Sequence, residues 1–148
     1  MENTIKWLGT PESRILSIRH FREYISTLPI QEAVKQTTKN WNAGPYVKTP
    51  QLSLNDVEKF PSPWDLFSQK FFCNNMRILG VFYTLIMSDH SKNHDIRIVV
   101  SNDIIAGEVA TIVFDDNHIL NHSDKSLIID KKSINNIMGE KSGTCTYF

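Results

Sequence analysis

Apolar residues recur at helical spacing in the first part of the chain. Ile15, Ile18, Phe21, Ile25 and Leu28 fall three or four residues apart, so one side of a helix is apolar and the other polar. Thr10-Pro11 supplies a start: the threonine hydroxyl can accept from a free first-turn amide, and proline lacks only an N–H that would have had no partner. Pro29 interrupts the pattern. Ala33, Val34, Thr37 and Trp41 carry a second helical face until Asn42-Ala43-Gly44-Pro45 ends it. Residues 46–54 read as an extended connector. Ser53-Leu54-Asn55-Asp56 and Ser62-Pro63-Trp64-Asp65 each set a serine three residues ahead of a carboxylate, which predicts two short helical turns.

Residues 71–87 form the apolar centre of the sequence. Phe72, Met76, Leu79, Phe82 or Tyr83 and Ile86 repeat at helical spacing, with further apolar residues on the remaining faces, so a buried helix is predicted. Gly80 inside it costs about 1 kcal/mol against alanine, which points to close approach by another element. Residues 88–95 read as a polar loop. Beyond them the period changes: residues 96–100 and 109–114 are short, β-branched runs bounded by Asn, Asp and Gly. Asp115-Asp116-Asn117 reads as a tight turn into a third strand at residues 118–121, and residues 127–129 add a fourth. Helices first and strands second predict an α+β fold, with N-terminal helices and a buried central helix packed on a small antiparallel sheet.

Composition narrows the classes. A chain of 148 residues fits one domain over residues 1–148, with residues 1–9 and 139–148 as loose ends. Sixteen basic and sixteen acidic residues cancel, which argues against nucleic-acid binding and against a polybasic membrane role. No stretch reaches the length of a membrane span, and no basic-then-apolar leader opens the sequence. Two cysteines, Cys73 and Cys145, are too few for a secreted disulfide scaffold, so a cytoplasmic protein, or one carried in a particle assembled there, is expected. No cofactor motif stands out, and no metal site is expected. His90, His94, His118 and His122 have no close-spaced cysteine partner, and Asp115-Asp116-Asn117 lacks the ligand spacing of a calcium loop.

Cys73 is the one candidate for chemistry. At a helix start, free amides and the helix dipole favour a thiolate, but a nucleophile also needs a base and usually a group that orients the base. A helical lead-in, a cysteine opening a buried helix and antiparallel strands afterwards resemble the transglutaminase-like and arylamine-acetyltransferase-like branch of the papain-type cysteine enzymes. The likeness covers residues 25–129. It implies Cys73 as nucleophile and Asn121 as the orienting residue, with a histidine early in the strand that holds Gly107-Glu108-Val109-Ala110. Glu108 stands where that histidine belongs, and Phe71-Phe72-Cys73-Asn74-Asn75 replaces the family's glycine-rich approach. Residues 61–66 also resemble uncharacterised tailed-phage proteins, which implies a viral origin.

A glutamate cannot readily take a thiol proton and return it to a leaving amine near neutral pH. His118 or His122, from the neighbouring strand and its end, is the remaining candidate base, yet strand alternation sets both on one face and Asn121 on the other. The sequence therefore favours a non-catalytic scaffold with a protein partner, Cys73 being a small buried hydrophobe and Asn121 bonding a turn backbone. The alternative is a thiol hydrolase or acyltransferase acting on an amide or thioester. Trp64, Phe67, Phe71 and Phe72 are either core or an exposed aromatic patch, and the core is favoured.

Overall fold

The computed structural model describes residues 3–52, 57–103, 107–114, 118–120, 128–129 and 137–142. α1 spans Pro11–Ile25 and begins as expected, the Thr10 hydroxyl accepting from Ser13 N–H at 3.1 Å. α2 spans Ile30–Asn42 and buries Ala33, Val34, Thr37 and Trp41, the face read from the sequence. A single 3₁₀ turn, Val57–Lys59, precedes the short α3, Pro63–Phe67, whose Ser62 cap accepts from Asp65 N–H at 3.2 Å. The first capping serine, Ser53, lies outside the described residues. α4 spans Asn74–Ile86, and everything from Ile78 to Ile86 on it is buried.

Helix α4 opens at Cys73, its N-cap, as expected, although the apolar run begins two residues earlier. Phe71 and Phe72 belong instead to an extended strip. Phe72 N–H donates to the Pro45 carbonyl at 2.8 Å, and its own carbonyl accepts from Val47 N–H at 3.1 Å, a parallel bridge between Tyr46 and Phe72. An apolar run carries no information on backbone pairing, and here pairing across the connector wins over helix. Residues 88–95 contain a 3₁₀ turn, Asp89–Lys92, rather than an open loop. Residues 3–9 are not loose. Ile5 is buried, Ile5 N–H donates to Asn40 Oδ1 at 2.9 Å, and Trp7 Nε1–H donates to the Asn40 carbonyl at 3.0 Å.

Strands β1 (Ile96–Asp103), β2 (Gly107–Phe114), β3 (His118–Leu120), β4 (Ile128–Ile129) and β5 (Ile137–Ser142) form a sheet in the order β4-β3-β2-β1-β5. All neighbours run antiparallel, with Ile96 opposite Phe114 and Asp103 opposite Gly107 across the first hairpin. β5 was not anticipated; it takes residues 139–142 out of the expected loose tail and pairs them with β1 through a bulge at Val100/Ser101. Ile96, Ile98, Val100, Ala110, Ile112 and Phe114 join the helices in one apolar cluster, the period-2 face that strand alternation requires. Val99, Thr111 and Val113, on the opposite parity, are buried too.

The helical layer is keyed by Trp41. Its ring meets Trp7, Phe72 and Phe67 at centroid distances of 4.9, 5.2 and 5.7 Å, and its Nε1–H donates to Thr84 Oγ1 at 2.9 Å. A Cβ on Gly80 would stand 2.5 Å from that ring. The glycine in α4 is therefore the point where the α2 indole lies flat against the α4 backbone, the close approach its sequence cost implied.

Candidate functional site around Cys73

Cys73 is the N-cap of α4, with φ −77° and ψ 173°, and its side chain caps no amide. Its carbonyl accepts from Arg77 N–H at 2.9 Å, closing the first helical turn. The turn is bolted to the connector before it. Arg77 Nη2 donates to the carbonyls of Asn42 and Gly44, each at 3.0 Å, while its guanidinium lies 4.4 Å from the Tyr46 ring centroid. Asn75 Nδ2 donates to the Leu52 carbonyl at 2.8 Å. Between the Tyr46–Phe72 bridge and these anchors Cys73 is held with 2% of its surface exposed. Beside it, Val47, Gln51, Gln69, Lys70, Phe71 and Met76 line a groove of about 470 Å³, to which Cys73 does not contribute.

The other predicted residues are placed as follows. Glu108 sits in β2 with its Cα opposite Asn102 of β1. His118 opens β3 with its Cα opposite Phe114, about 20 Å along β2 from Glu108. Thus Glu108 and His118 belong to opposite ends of β2. Residues 87–95, partly coiled into a 3₁₀ turn, take the chain from the end of α4 into β1. Asn121, His122 and Asp115-Asp116-Asn117 lie outside the described residues. His90 is buried, and its Nε2 makes a 2.8 Å hydrogen bond with the Ile25 carbonyl, so that nitrogen carries the proton. The His94 ring is 5.9 Å from it, and His20 is exposed on α1. Among the described residues no three His, Cys, Asp or Glu side chains gather as metal ligands.

The aromatic segment before Cys73 is divided. Phe67 and Phe72 are core, whereas Trp64 and Phe71 are 45% and 58% exposed. Sequence reasoning missed Arg14, which the amphipathic pattern of α1 had left on a polar face. Arg14 is buried; its guanidinium donates to the carbonyls of Trp7 at 2.8 Å, Phe67 at 3.2 Å and Gln69, and lies 5.5 Å from the Phe72 ring centroid. Burial away from water lowers its pKa. The signal available in sequence was only its position between Thr10 and Ile18, which cannot distinguish a cation that reaches inward from one that reaches out.

N-terminal helices and a buried central helix packed on a small antiparallel sheet give this chain an α+β fold of transglutaminase-like layout, with Cys73 at the N-cap of the central helix. The comparison with solved structures agrees: calcium-bound LapG of Legionella pneumophila is similar with a TM-score of 0.60 over 88% of this chain and 74% of that one, at 14% identity. No protein-family model matches the sequence, and no curated protein matches it. Among the described residues no helix is long and apolar enough to cross a membrane.

Proposed function

We propose that this chain uses the transglutaminase-like scaffold to bind a protein partner and does not catalyse acyl transfer. The observation that carries the reading is the enclosure of Cys73, a thiol with 2% exposure whose side chain caps no amide. An attacking sulfur must meet a carbonyl carbon at close range and pass its proton to a base, and an enclosed thiol does neither. The hydrogen bond from buried His90 to the Ile25 carbonyl supports the same reading, since it ties that ring to α1. Residues 61–66 add a viral setting to this reading, a host cytoplasm or a virion.

The thiol hydrolase or acyltransferase is the second reading. It is favoured by the place of Cys73 at the head of a buried helix and by the groove over Phe71 and Met76 beside it. Alkylation by iodoacetamide from about pH 5 to about pH 9, with Cys145→Ser to leave one thiol, separates the two. Slow labelling that follows unfolding by urea is expected. Labelling of the folded protein as fast as a free thiol at neutral pH would remove the binding-only reading and turn attention to acyl substrates.

A further inference from the structure

The outer face of α1 carries a trough, away from Cys73. At one end Ile15, Ile18, Trp64, Phe67 and Met87 enclose a cavity of about 180 Å³, the apolar part, with Arg19 and Arg22 at its rim. A second hollow of about 310 Å³ continues from the same two arginines and Met87 along Glu23, Ser26 and Asp89. Together they follow α1 from Ile15 to Ser26, a run of about 16 Å on a helix. Trp64 stands over the apolar end with 45% of its surface exposed, edge-on to Phe67 at 6.1 Å.

Arg19, Arg22, Glu23 and Asp89 line the trough, and both carboxylates already have a basic partner. Glu23 faces Arg19 at 3.9 Å and Asp89 holds Lys92 at 3.2 Å. Arg22 is left over: it is half-buried, and its guanidinium makes no hydrogen bond or ion pair among the described residues. Desolvation and the neighbouring Arg19 lower its pKa, partly offset by Glu23, so its environment favours a further negative charge.

We propose that this trough is the docking site for an acidic peptide segment of a protein partner, which seats one large apolar side chain against Trp64, Ile18 and Met87 and gives a carboxylate to Arg22. A hollow of about 180 Å³ is the size of a single large side chain. Small-molecule sites enclose most of their ligand, whereas this trough is open along its length and matches about five residues of extended chain. The partly desolvated guanidinium offers paired N–H donors to a planar carboxylate. The proposal rests on the binding reading above and supplies its surface.

The probe is the hexapeptide acetyl-Ser-Asp-Leu-Phe-Asp-Ser-amide, titrated into the full chain and followed by the indole N–H resonance of Trp64 and by the methyl resonances of Ile15, Ile18 and Met87. Binding that perturbs these signals is expected, weaker by about tenfold for the twin peptide with both aspartates changed to asparagine. Arg22→Gln should cost a similar factor and Arg22→Lys less, while the melting temperature of each variant shows that the fold is kept. Equal binding of the two peptides, equal binding by Arg22→Gln, or no response at millimolar peptide would each overturn the proposal. So would octanoate perturbing the same signals more tightly than the peptide, which would assign the trough to a small amphiphile. None of these outcomes depends on the alkylation of Cys73, so loss of this site and loss of the non-catalytic reading are told apart.

Discussion

Gly80 and Trp41 form a lock whose tightness sets the sign of a substitution. Alanine would ordinarily gain about 1 kcal/mol in a helix interior, but at Gly80 its Cβ would fall 2.5 Å from the Trp41 ring, inside any real contact. Gly80→Ala is therefore expected to lose about 1–3 kcal/mol through overpacking, measured by urea denaturation; a stabilised variant would show that α2 and α4 separate easily. Arg14 makes the opposite kind of demand. Replacing it with methionine keeps bulk but strands the Trp7 and Phe67 carbonyls it now satisfies, and a loss of about 2–4 kcal/mol is expected in the same assay. At Cys73 the buried surroundings predict that Cys73→Ala is tolerated better than Cys73→Ser, which buries a hydroxyl at a cost of about 1–3 kcal/mol. Thermal melts of the two variants check the order, and serine proving the milder change would mean that the site is wetter than its exposure implies.

Among the elements, the helices whose caps and faces are written locally were legible: α1 from Thr10-Pro11, α2 from the Trp41 face, α3 from Ser62. Strand runs 96–100 and 109–114 were legible from β-branching and their polar bounds. What escaped depends on distant chain. The extended pairing of Phe72 is decided by Pro45 and Val47, which claim its backbone; β5 contains Gly139-Glu140-Lys141, polar and glycine-bearing, and is a strand because β1 offers it an edge. The strap at residues 3–9 escaped for the same reason, since its partner is Asn40. At the site, the position of Cys73 at a helix head and its burial were both legible, while the contacts that close it, from Arg77, Asn75 and the Tyr46–Phe72 bridge, were not, because they are tertiary. Deleting residues 1–9 is accordingly expected to lower the melting temperature by several degrees, since Ile5 and the Trp7 ring leave the Trp41 cluster; an unchanged melt would contradict the anchoring described here.

Taken as a whole, the molecule is a helical layer and a sheet sharing one apolar cluster, the arrangement it has in common with LapG at 14% identity. Likeness at that level is a likeness of scaffold, and chemistry has to be read from the site itself. Here the scaffold holds the cysteine with little access to it, and leaves its exposed aromatic, Trp64, beside Arg22 on another face.

The sheet order also has a consequence for synthesis. β1 meets β2 through a local hairpin, but its other neighbour, β5, begins only at Ile137. At about 5–20 residues per second, the ribosome needs roughly 2–8 s to pass from the start of β1 to the start of β5. Through that interval the nascent chain displays a bare edge carrying Ile98, Val99 and Val100, the kind of strand that recruits other strands. A pause in translation between residues 103 and 137 would lengthen this exposure, so the yield of soluble protein should be more sensitive to slow codons there than in the helical half.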